Sequence, residues 1–175
     1  MFNPMKFVTG FIASAVFCAS IVLMGGTAEA VKISVVDVNK VYTESSAAKD
    51  ADKHVAEVRK VLQKGLNDLE KRLAQNKNVT AEARERDLVN GHRVLERQMK
   101  IEIQAARNVV RTIMVDCIKE WRKKNGGVVM AKSQLLDYSP KMDITDTVIK
   151  AMNKKKAKFA NMPVVKFNES KKAKK

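Results

Sequence analysis

The residue types that most often carry chemistry in proteins are few in this chain of 175 residues. It has two histidines, His54 and His92, and neither belongs to a His-x-x-x-His pair. Its two cysteines, Cys18 and Cys117, form no cluster. A zinc site needs several such ligands at short spacing, so no metal site is expected. Both histidines are predicted to be surface side chains, and Cys117 is interpreted as a small buried apolar residue.

No motif places a nucleophile, a phosphate-binding loop or a calcium loop in the sequence. Gly126 and Gly127 precede a predicted strand, whereas a phosphate-binding loop precedes a helix. Asp137, Asp143 and Asp146 lack the glycine and the terminal glutamate of a calcium loop. Serines occur, but no motif places a histidine or lysine to activate one. We therefore predict that the protein is not an enzyme and needs no cofactor.

The first thirty residues have the pattern of a secretory signal peptide. Lys6 precedes an apolar run from Phe7 to Met24, and Ala28 and Ala30 form an A-x-A cleavage site. The alternative is a membrane anchor, because an apolar run of about 18 residues can just span a bilayer. Polar and small residues within the run, together with the cleavage site, favour cleavage after Ala30 and export of the mature chain.

Charge is concentrated at the C-terminus of a chain whose net charge is +15. Residues 153–175 contain nine lysines and one acidic residue, so this segment is predicted to be a solvated, disordered tail from residue 154 to 175. Its lysines are candidates for contact with an anionic partner such as lipid. The candidates are Lys154, Lys155, Lys156, Lys171 and Lys172. Export and the scarcity of aromatic stacking platforms argue against a specific role in nucleic-acid binding.

Two long helices are predicted to make up most of the chain. The first carries apolar residues at steps of three and four, which is typical of one buried stripe. This stripe consists of Ala48, Ala51, Val55, Val58, Leu62, Leu66, Leu69 and Leu73. Ser45 or Ser46 is the predicted N-cap of this helix, and Asp37 is that of the helical turns before it. A polar break follows at 76–80, with Asn76 as C-cap and Thr80 as the next N-cap. The second helix is predicted from about Ala81 to Lys124, antiparallel to the first, in a hairpin roughly 50 Å long or more.

Short elements at the two ends of the hairpin predict a small β-containing body. Its elements are strands at Lys32–Val36, Val128–Ala131 and Leu135–Tyr138, helical turns at Asp37–Thr43, and a helix at Ile144–Met152 capped by Asp143. The fold class is α+β and mostly α. The predicted divisions are a signal peptide at 1–30, a body formed by 31–50 and 109–153, and a hairpin at 51–108.

Oligomerisation is expected from the body. The segment Val109–Ile118 is apolar around the whole helix, and so it requires burial on all sides. Strands this few leave open edges. The predicted oligomer core consists of Val110, Ile113, Cys117 and Trp121.

Three segments of the chain carry a resemblance to a known protein family. These are Val31-Lys-Ile-Ser-Val-Val-Asp-Val-Asn-Lys-Val-Tyr-Thr-Glu-Ser45, Lys123-Lys-Asn-Gly-Gly-Val-Val-Met130, and Tyr138-Ser-Pro-Lys-Met-Asp-Ile-Thr-Asp-Thr-Val-Ile-Lys-Ala-Met-Asn153. With the signal peptide and the charged hairpin, they resemble the Skp/OmpH family of periplasmic chaperones over Val31–Asn153. The Lys-rich extension after Asn153 goes beyond the family pattern.

The resemblance implies a periplasmic homotrimer with a small central β-barrel and helical tentacles around a cavity. That cavity would hold unfolded outer-membrane proteins without ATP. The alternative function is a structural or adaptor coiled coil of the cell envelope that binds anionic polymers or lipid. Aggregation of an unfolded outer-membrane barrel, with and without the protein, distinguishes the two.

Two sets of residues on the hairpin are candidate functional positions. Val61, Val94 and Ile101 lie off the apolar stripe and are candidate client contacts, or else isolated exposed aliphatic residues without a role. Gly65 and Gly91 lie at equal distances from the turn near Asn78. They predict a paired hinge, because glycine weakens a helix by roughly 0.5–1 kcal/mol relative to alanine. Close packing of the two helices is the alternative explanation for the glycines.

Overall fold

The computed structural model describes residues 31–166 and shows a mostly helical protein with a two-stranded sheet. The predicted signal peptide lies outside the described residues. The helices are α1 (Val38–Glu44), α2 (Ser46–Gln75), α3 (Ala81–Asn125) and α4 (Thr145–Met152), and the strands are β1 (Ile33–Val36) and β2 (Val128–Ala131). Short 3-10 turns span Lys132–Gln134 and Pro140–Met142. In the described range, no helix is both long and apolar enough to cross a membrane.

Side-chain caps fix the ends of the hairpin helices where the sequence predicts them. The Ser45 hydroxyl accepts a hydrogen bond from the amide of Ala48 at 3.3 Å, which begins α2. The Thr80 hydroxyl accepts from the amide of Ala83 at 3.2 Å and begins α3. At 1.5 Å per residue, α2 is about 45 Å long and α3 about 67 Å. Gly126 ends α3 with a φ of 68°, a conformation that favours glycine.

The apolar stripe predicted for α2 is buried or half-buried throughout. On α3, the apolar residues Ala106, Val110 and Cys117 are buried on the side that faces the core. Met114 is buried and Ile113 only half-buried, and Glu102 is buried in place of Ile103. The buried positions of α3 from Glu102 to Cys117 are spaced by four, four, four and three residues, as expected for one face of a helix with 3.6 residues per turn. The Gln98 amide donates to the Glu102 carboxylate at 2.7 Å, which satisfies that buried group.

The sheet joins the segment that precedes the hairpin to the segment that follows it, at the end of the hairpin opposite the turn. Strand β1 pairs with β2 in parallel, with Ile33 opposite Val128 and Val36 opposite Ala131. The other edge of β1 receives the amide of Ile144, which donates to the Val35 carbonyl at 2.9 Å. The third strand predicted at 135–138 is wrong, because the chain forms no strand there. The bridge from Val35 to Asp143 occupies the edge of β1 instead.

Helix α4 closes the body against β1 and α1. It begins at Thr145 rather than at the predicted Ile144, and Ile144 occupies the N-cap position without a side-chain cap. Asp143 still accepts a hydrogen bond from the Thr145 amide at 2.8 Å. The buried Thr145 hydroxyl in turn accepts from the amide of Asp37 at 2.8 Å. This pair of bonds fixes the start of α1 to the start of α4.

One apolar cluster joins all four helices and β1. Its buried members are Val36, Val41, Ala47, Ala48, Ala51, Ala106, Val110, Met114, Cys117, Val148, Ile149 and Met152. Two residues predicted for an oligomer core, Val110 and Cys117, are therefore buried by their own chain. Ile113 is half-buried against the same cluster, and Trp121 is half-buried. Burial raises the pKa of the Cys117 thiol, as expected for a small apolar residue.

The segment 154–166, here called the strap, differs from the disordered tail predicted from its composition. After a turn at 153–155 it is extended, and Phe159 and Val165 reach helix α2. His54, predicted to be a surface residue, is buried with its ring stacked on Phe159, whereas His92 is exposed. Composition alone predicts a solvated segment, because its many lysines outweigh the apolar residues between them in any average over the segment.

Candidate functional site

A line of exposed aliphatic residues runs along one face of α3. Val94 and Ile101 are 60% and 52% exposed, and their spacing of seven residues places them on the same face of the helix. A shallow depression surrounds Ile101 and is lined by Arg97, Lys100, Gln104, Ala105 and Asn108. Apolar side chains flanked by basic ones can contact an apolar, acidic or unfolded chain without enclosing it.

Val61, the third candidate client contact, has a different environment. It is half-buried on α2, on a stripe with His54, Val58 and Gly65. The steps of four, three and four residues between these positions keep them on one face. That face is rotated roughly 75° from the stripe that packs on α3. Val61 therefore lies on a separate surface from Val94 and Ile101.

The strap lies along this second face of α2. The rings of Phe159 and His54 are stacked, with centroids 4.9 Å apart and an angle of 15° between their planes. Farther along, a Cβ atom placed on Gly65 would come within 2.7–2.8 Å of three side-chain atoms of Val165. Gly65 is therefore a notch in the helix surface that the side chain of Val165 fills.

Gly91 is also occupied, but by a residue of the partner helix in the hairpin. A Cβ atom there would overlap the Cδ2 atom of Leu69. The two glycines predicted as a paired hinge thus face different neighbours, one the strap and one α2. Both contacts give close packing as a reason for glycine, and the hinge stays a prediction. At Gly65 an added methyl group would meet the stiff β-branched side chain of Val165, so an alanine there requires the strap to move.

An ion pair holds the start of the strap on the end of α3. The Lys155 ammonium donates to the Glu120 carboxylate at 2.7 Å. This hydrogen bond and charge pairing lower the pKa of Glu120, and the same bond raises the pKa of Lys155. Lys154 and Lys156 are exposed. The remaining candidates for anionic contact, Lys171 and Lys172, lie outside the described residues.

The body exposes apolar side chains beside the sheet. Leu136 is fully exposed, and Ile33 and Val128 are exposed at the first paired position of β1 and β2. The ammonium of Lys132, directly after β2, lies 3.3 Å from the carboxylate of Asp37 at the start of α1. The pKa of Asp37 is lowered, first by the hydrogen bond from the Lys40 amide and also by Lys132. This surface combines apolar residues with satisfied charges, as subunit interfaces do.

The described residues contain no group of three or more metal-ligating side chains. They form three candidate contact surfaces. These are the exposed aliphatic face of α3, the face of α2 beneath the strap, and the exposed apolar residues of the body beside the sheet.

The model of one protein family, described as Outer membrane protein (OmpH-like), matches residues 32–152. The chain belongs to the OmpH-like family. The resemblance seen in the sequence is thereby confirmed. The match covers β1, the whole hairpin, β2 and α4 of this OmpH-like chain, and it ends before the strap.

A crystal structure of an OmpH-like protein from Caulobacter crescentus CB15, thought to be an outer membrane chaperone, is also similar to this OmpH-like chain. The alignment covers 71% of this chain and 85% of that one, with 17% sequence identity and a TM-score of 0.42. Similarity at that level adds nothing to the family assignment. No curated protein matches the chain.

Sequence reasoning missed the α2 face under the strap. The strap contacts this face at a histidine and a glycine, His54 and Gly65, which carry no hydrophobic signal. In the strap, the half-buried Ala157, Phe159, Pro163 and Val165 all occupy odd-numbered positions, but Ala160, Met162 and Val164 are apolar at even-numbered ones, so the sequence itself shows no clear alternation.

Proposed function

We propose that this protein is an ATP-independent holdase chaperone of the periplasm that binds unfolded outer-membrane proteins and prevents their aggregation. The observation that supports this proposal most directly is membership of the OmpH-like family across both the body and the hairpin. The hairpin adds a physical argument. Its long helices expose scattered aliphatic residues, such as Val94 and Ile101, among many charges rather than one large apolar patch.

Such a surface suits holding rather than folding. Many weak contacts retain an unfolded chain, while each contact can open separately and release it. Basic side chains beside the aliphatic residues attract acidic segments and limit tight hydrophobic collapse onto the chaperone. Residues 1–30 would direct the chain to the periplasm as a signal peptide cleaved after Ala30.

The proposed active form is a homo-oligomer, and the family resemblance gives the number three. The fully exposed Leu136 and the exposed Ile33 and Val128 would be covered by neighbouring subunits. Strand β2 pairs only with β1 among the described strands, so its other edge is available for pairing between subunits. Hairpins projecting from such a body would enclose the client.

The decisive experiment is an aggregation assay. An outer-membrane barrel is diluted from urea with increasing amounts of the purified protein, and light scattering is recorded without nucleotide. We expect suppression near one oligomer per barrel. As the specificity control, the same amounts of a soluble protein that does not bind outer-membrane proteins replace the chaperone. Absence of suppression at a stoichiometric ratio, with binding to anionic vesicles retained, would replace the chaperone proposal with an envelope adaptor that binds anionic surfaces.

A further inference from the structure

Half-buried and exposed residues alternate along most of the strap, with Asn161 as an exposed exception. Ala157 and Phe159 are half-buried, and Lys158 and Ala160 beside them are exposed. Farther along, Val165 is half-buried between an exposed Val164 and an exposed Lys166. This alternation is the pattern of an extended chain with one side on a surface and the other in solvent.

The surface beneath the strap is one face of α2, here called the groove. On α2 it consists of Ala47, Ala51, His54, Val58, Val61 and Gly65, at steps of four and three residues. The next positions at the same spacing are Asp68 and Arg72, both exposed and charged, so the apolar groove ends at Gly65. His54 contributes a flat ring, and Gly65 contributes a notch.

The strap and the groove match in length and direction. His54 and Gly65 are eleven residues apart, or about 16 Å along the helix. Phe159 and Val165 are six residues apart, or about 20 Å in extended chain. Both run towards the tip of the hairpin, since Phe159 contacts His54 and Val165 contacts Gly65.

Side chains, not backbone hydrogen bonds, hold the outer part of the strap. In the described chain, the last strap amide bonded to a backbone carbonyl is that of Lys155, which donates to Met152 at 2.8 Å. Beyond it, Phe159 and Val165 provide the contacts with α2. An occupant held in this way can be exchanged for another extended segment of the same pattern without loss of any backbone hydrogen bond.

We infer that the groove from His54 to Gly65 binds extended client segments with alternating apolar residues, and that the strap is an internal occupant that clients displace. The inference rests on the proposed holdase function and specifies its substrate. Transmembrane β-strands of outer-membrane proteins alternate apolar and polar residues, so an unfolded barrel presents many such segments. The strap also places an aromatic residue, Phe159, and a β-branched residue, Val165, against the groove at odd-numbered positions, while Lys158, Val164 and Lys166 face solvent.

A released strap tests the inference in the full-length protein. The double variant Phe159→Ser, Val165→Ser removes both groove contacts but keeps the length and charge of the strap. The matched control is Ala160→Ser, Val164→Ser, which alters the exposed side of the same segment. Circular dichroism and urea unfolding establish that each variant is folded. If the double variant is unstable, Val165→Ser is compared with Val164→Ser instead.

Two readouts are measured on these proteins. The first is the affinity for an unfolded outer-membrane barrel, which we expect to increase by about three- to ten-fold in the strap-released variant, because more of the groove is open. The second is binding of a fluorescein-labelled synthetic peptide of residues 154–166. We expect this peptide to bind the strap-released variant more tightly than the control and to be displaced by the unfolded barrel.

Both readouts have an outcome that would overturn the inference. Equal client affinity in the released variant and its control overturns the inference, as does a peptide that fails to bind or that saturating barrel fails to displace. The aggregation assay on the same samples separates the two claims. If the protein suppresses aggregation but fails these readouts, only the proposed role of the groove is overturned. If it suppresses no aggregation, the proposed chaperone function is overturned as well.

Discussion

The ring of Phe159 lies stacked on the ring of His54, with their centroids 4.9 Å apart, although 105 positions separate the two residues in the sequence. The contact joins the strap to helix α2 and buries the only histidine of that helix. Stacked aromatic rings add stability beyond the area that they bury.

Replacing Phe159 with alanine is expected to lower the free energy of unfolding by about 1–2 kcal/mol. A fully buried phenylalanine costs about 3–5 kcal/mol when truncated, and this side chain is half-buried. Urea unfolding followed by circular dichroism measures the change. Lys158→Ala, at an exposed neighbouring position, is the control. Equal midpoints for the two variants would show that the strap adds nothing to stability.

Alanine at Gly65 is expected to detach the strap while leaving α2 intact. The new methyl group would meet the whole side chain of Val165, which is stiff, so the strap must move. The measurement is the rate of trypsin cleavage after Lys158 and Lys166, which should rise. Gly91→Ala is the control, because it meets only the flexible end of Leu69, which can rotate away. Faster strap cleavage in both variants would contradict separate roles for the two glycines.

The ion pair between Lys155 and Glu120 is expected to stabilise the attached strap by a constant free energy over a middle range of pH, and by less in acid and in alkali. The lowered pKa of Glu120 means that its contribution is complete above the ordinary value of 4.5 and is lost as pH falls through the lower folded value. The raised pKa of Lys155 means that its contribution is complete below 10.5 and is lost as pH rises beyond the higher folded value.

Urea unfolding of the parent and of Glu120→Gln, from acid to mildly alkaline pH, checks this dependence on pH. The parent should be the more stable protein above 4.5, and the difference should vanish in stronger acid. Glu96→Gln, at an exposed position elsewhere on α3, controls for the general loss of a carboxylate. The effect should be small, because both partners are largely exposed and water screens the pair. A constant difference across the whole range would assign the effect to something other than ionisation.

Aspartate in place of Leu136 is expected to weaken the oligomer without unfolding the chain. Leu136 is fully exposed in the single chain, so its replacement removes no contact from the core. A charge at a subunit interface would instead be buried without a partner. Light scattering after gel filtration gives the mass, and Ser133→Asp, also exposed, is the control. An unchanged mass at low micromolar concentration would place the interface elsewhere.

Serine in place of both Val94 and Ile101 is expected to weaken binding of unfolded outer-membrane protein by about three- to ten-fold, with helicity and mass unchanged. Val89→Ser is a matched control. Val89 is 61% exposed, like Val94, but it lies on another face of α3. If all the variants bind equally, the exposed aliphatic residues are incidental. If Val89→Ser is as damaging, clients contact the whole circumference of the helix.

The sequence alone determined the features that depend on neighbouring residues. Asp37, Ser45 and Thr80 each cap a helix by accepting a bond from an amide three residues ahead, and this geometry requires no distant partner. The two long helices and the polar turn between them followed from apolar spacing and its interruption. The signals carrying the family resemblance likewise lie in short contiguous segments at the ends of the hairpin.

Tertiary structure decided every feature that joins segments distant in sequence. A single bridge from Val35 to Asp143 occupies the edge of β1 and no third strand forms at 135–138, while Met114 is buried more deeply than Ile113, which packs against the same core. Burial of His54 and the course of the strap depend on Phe159, more than 100 residues away. A lysine-rich composition predicts solvation of a segment as a whole, but only alternate side chains of an extended segment need to be apolar, and whether they find a surface depends on the shape of another helix.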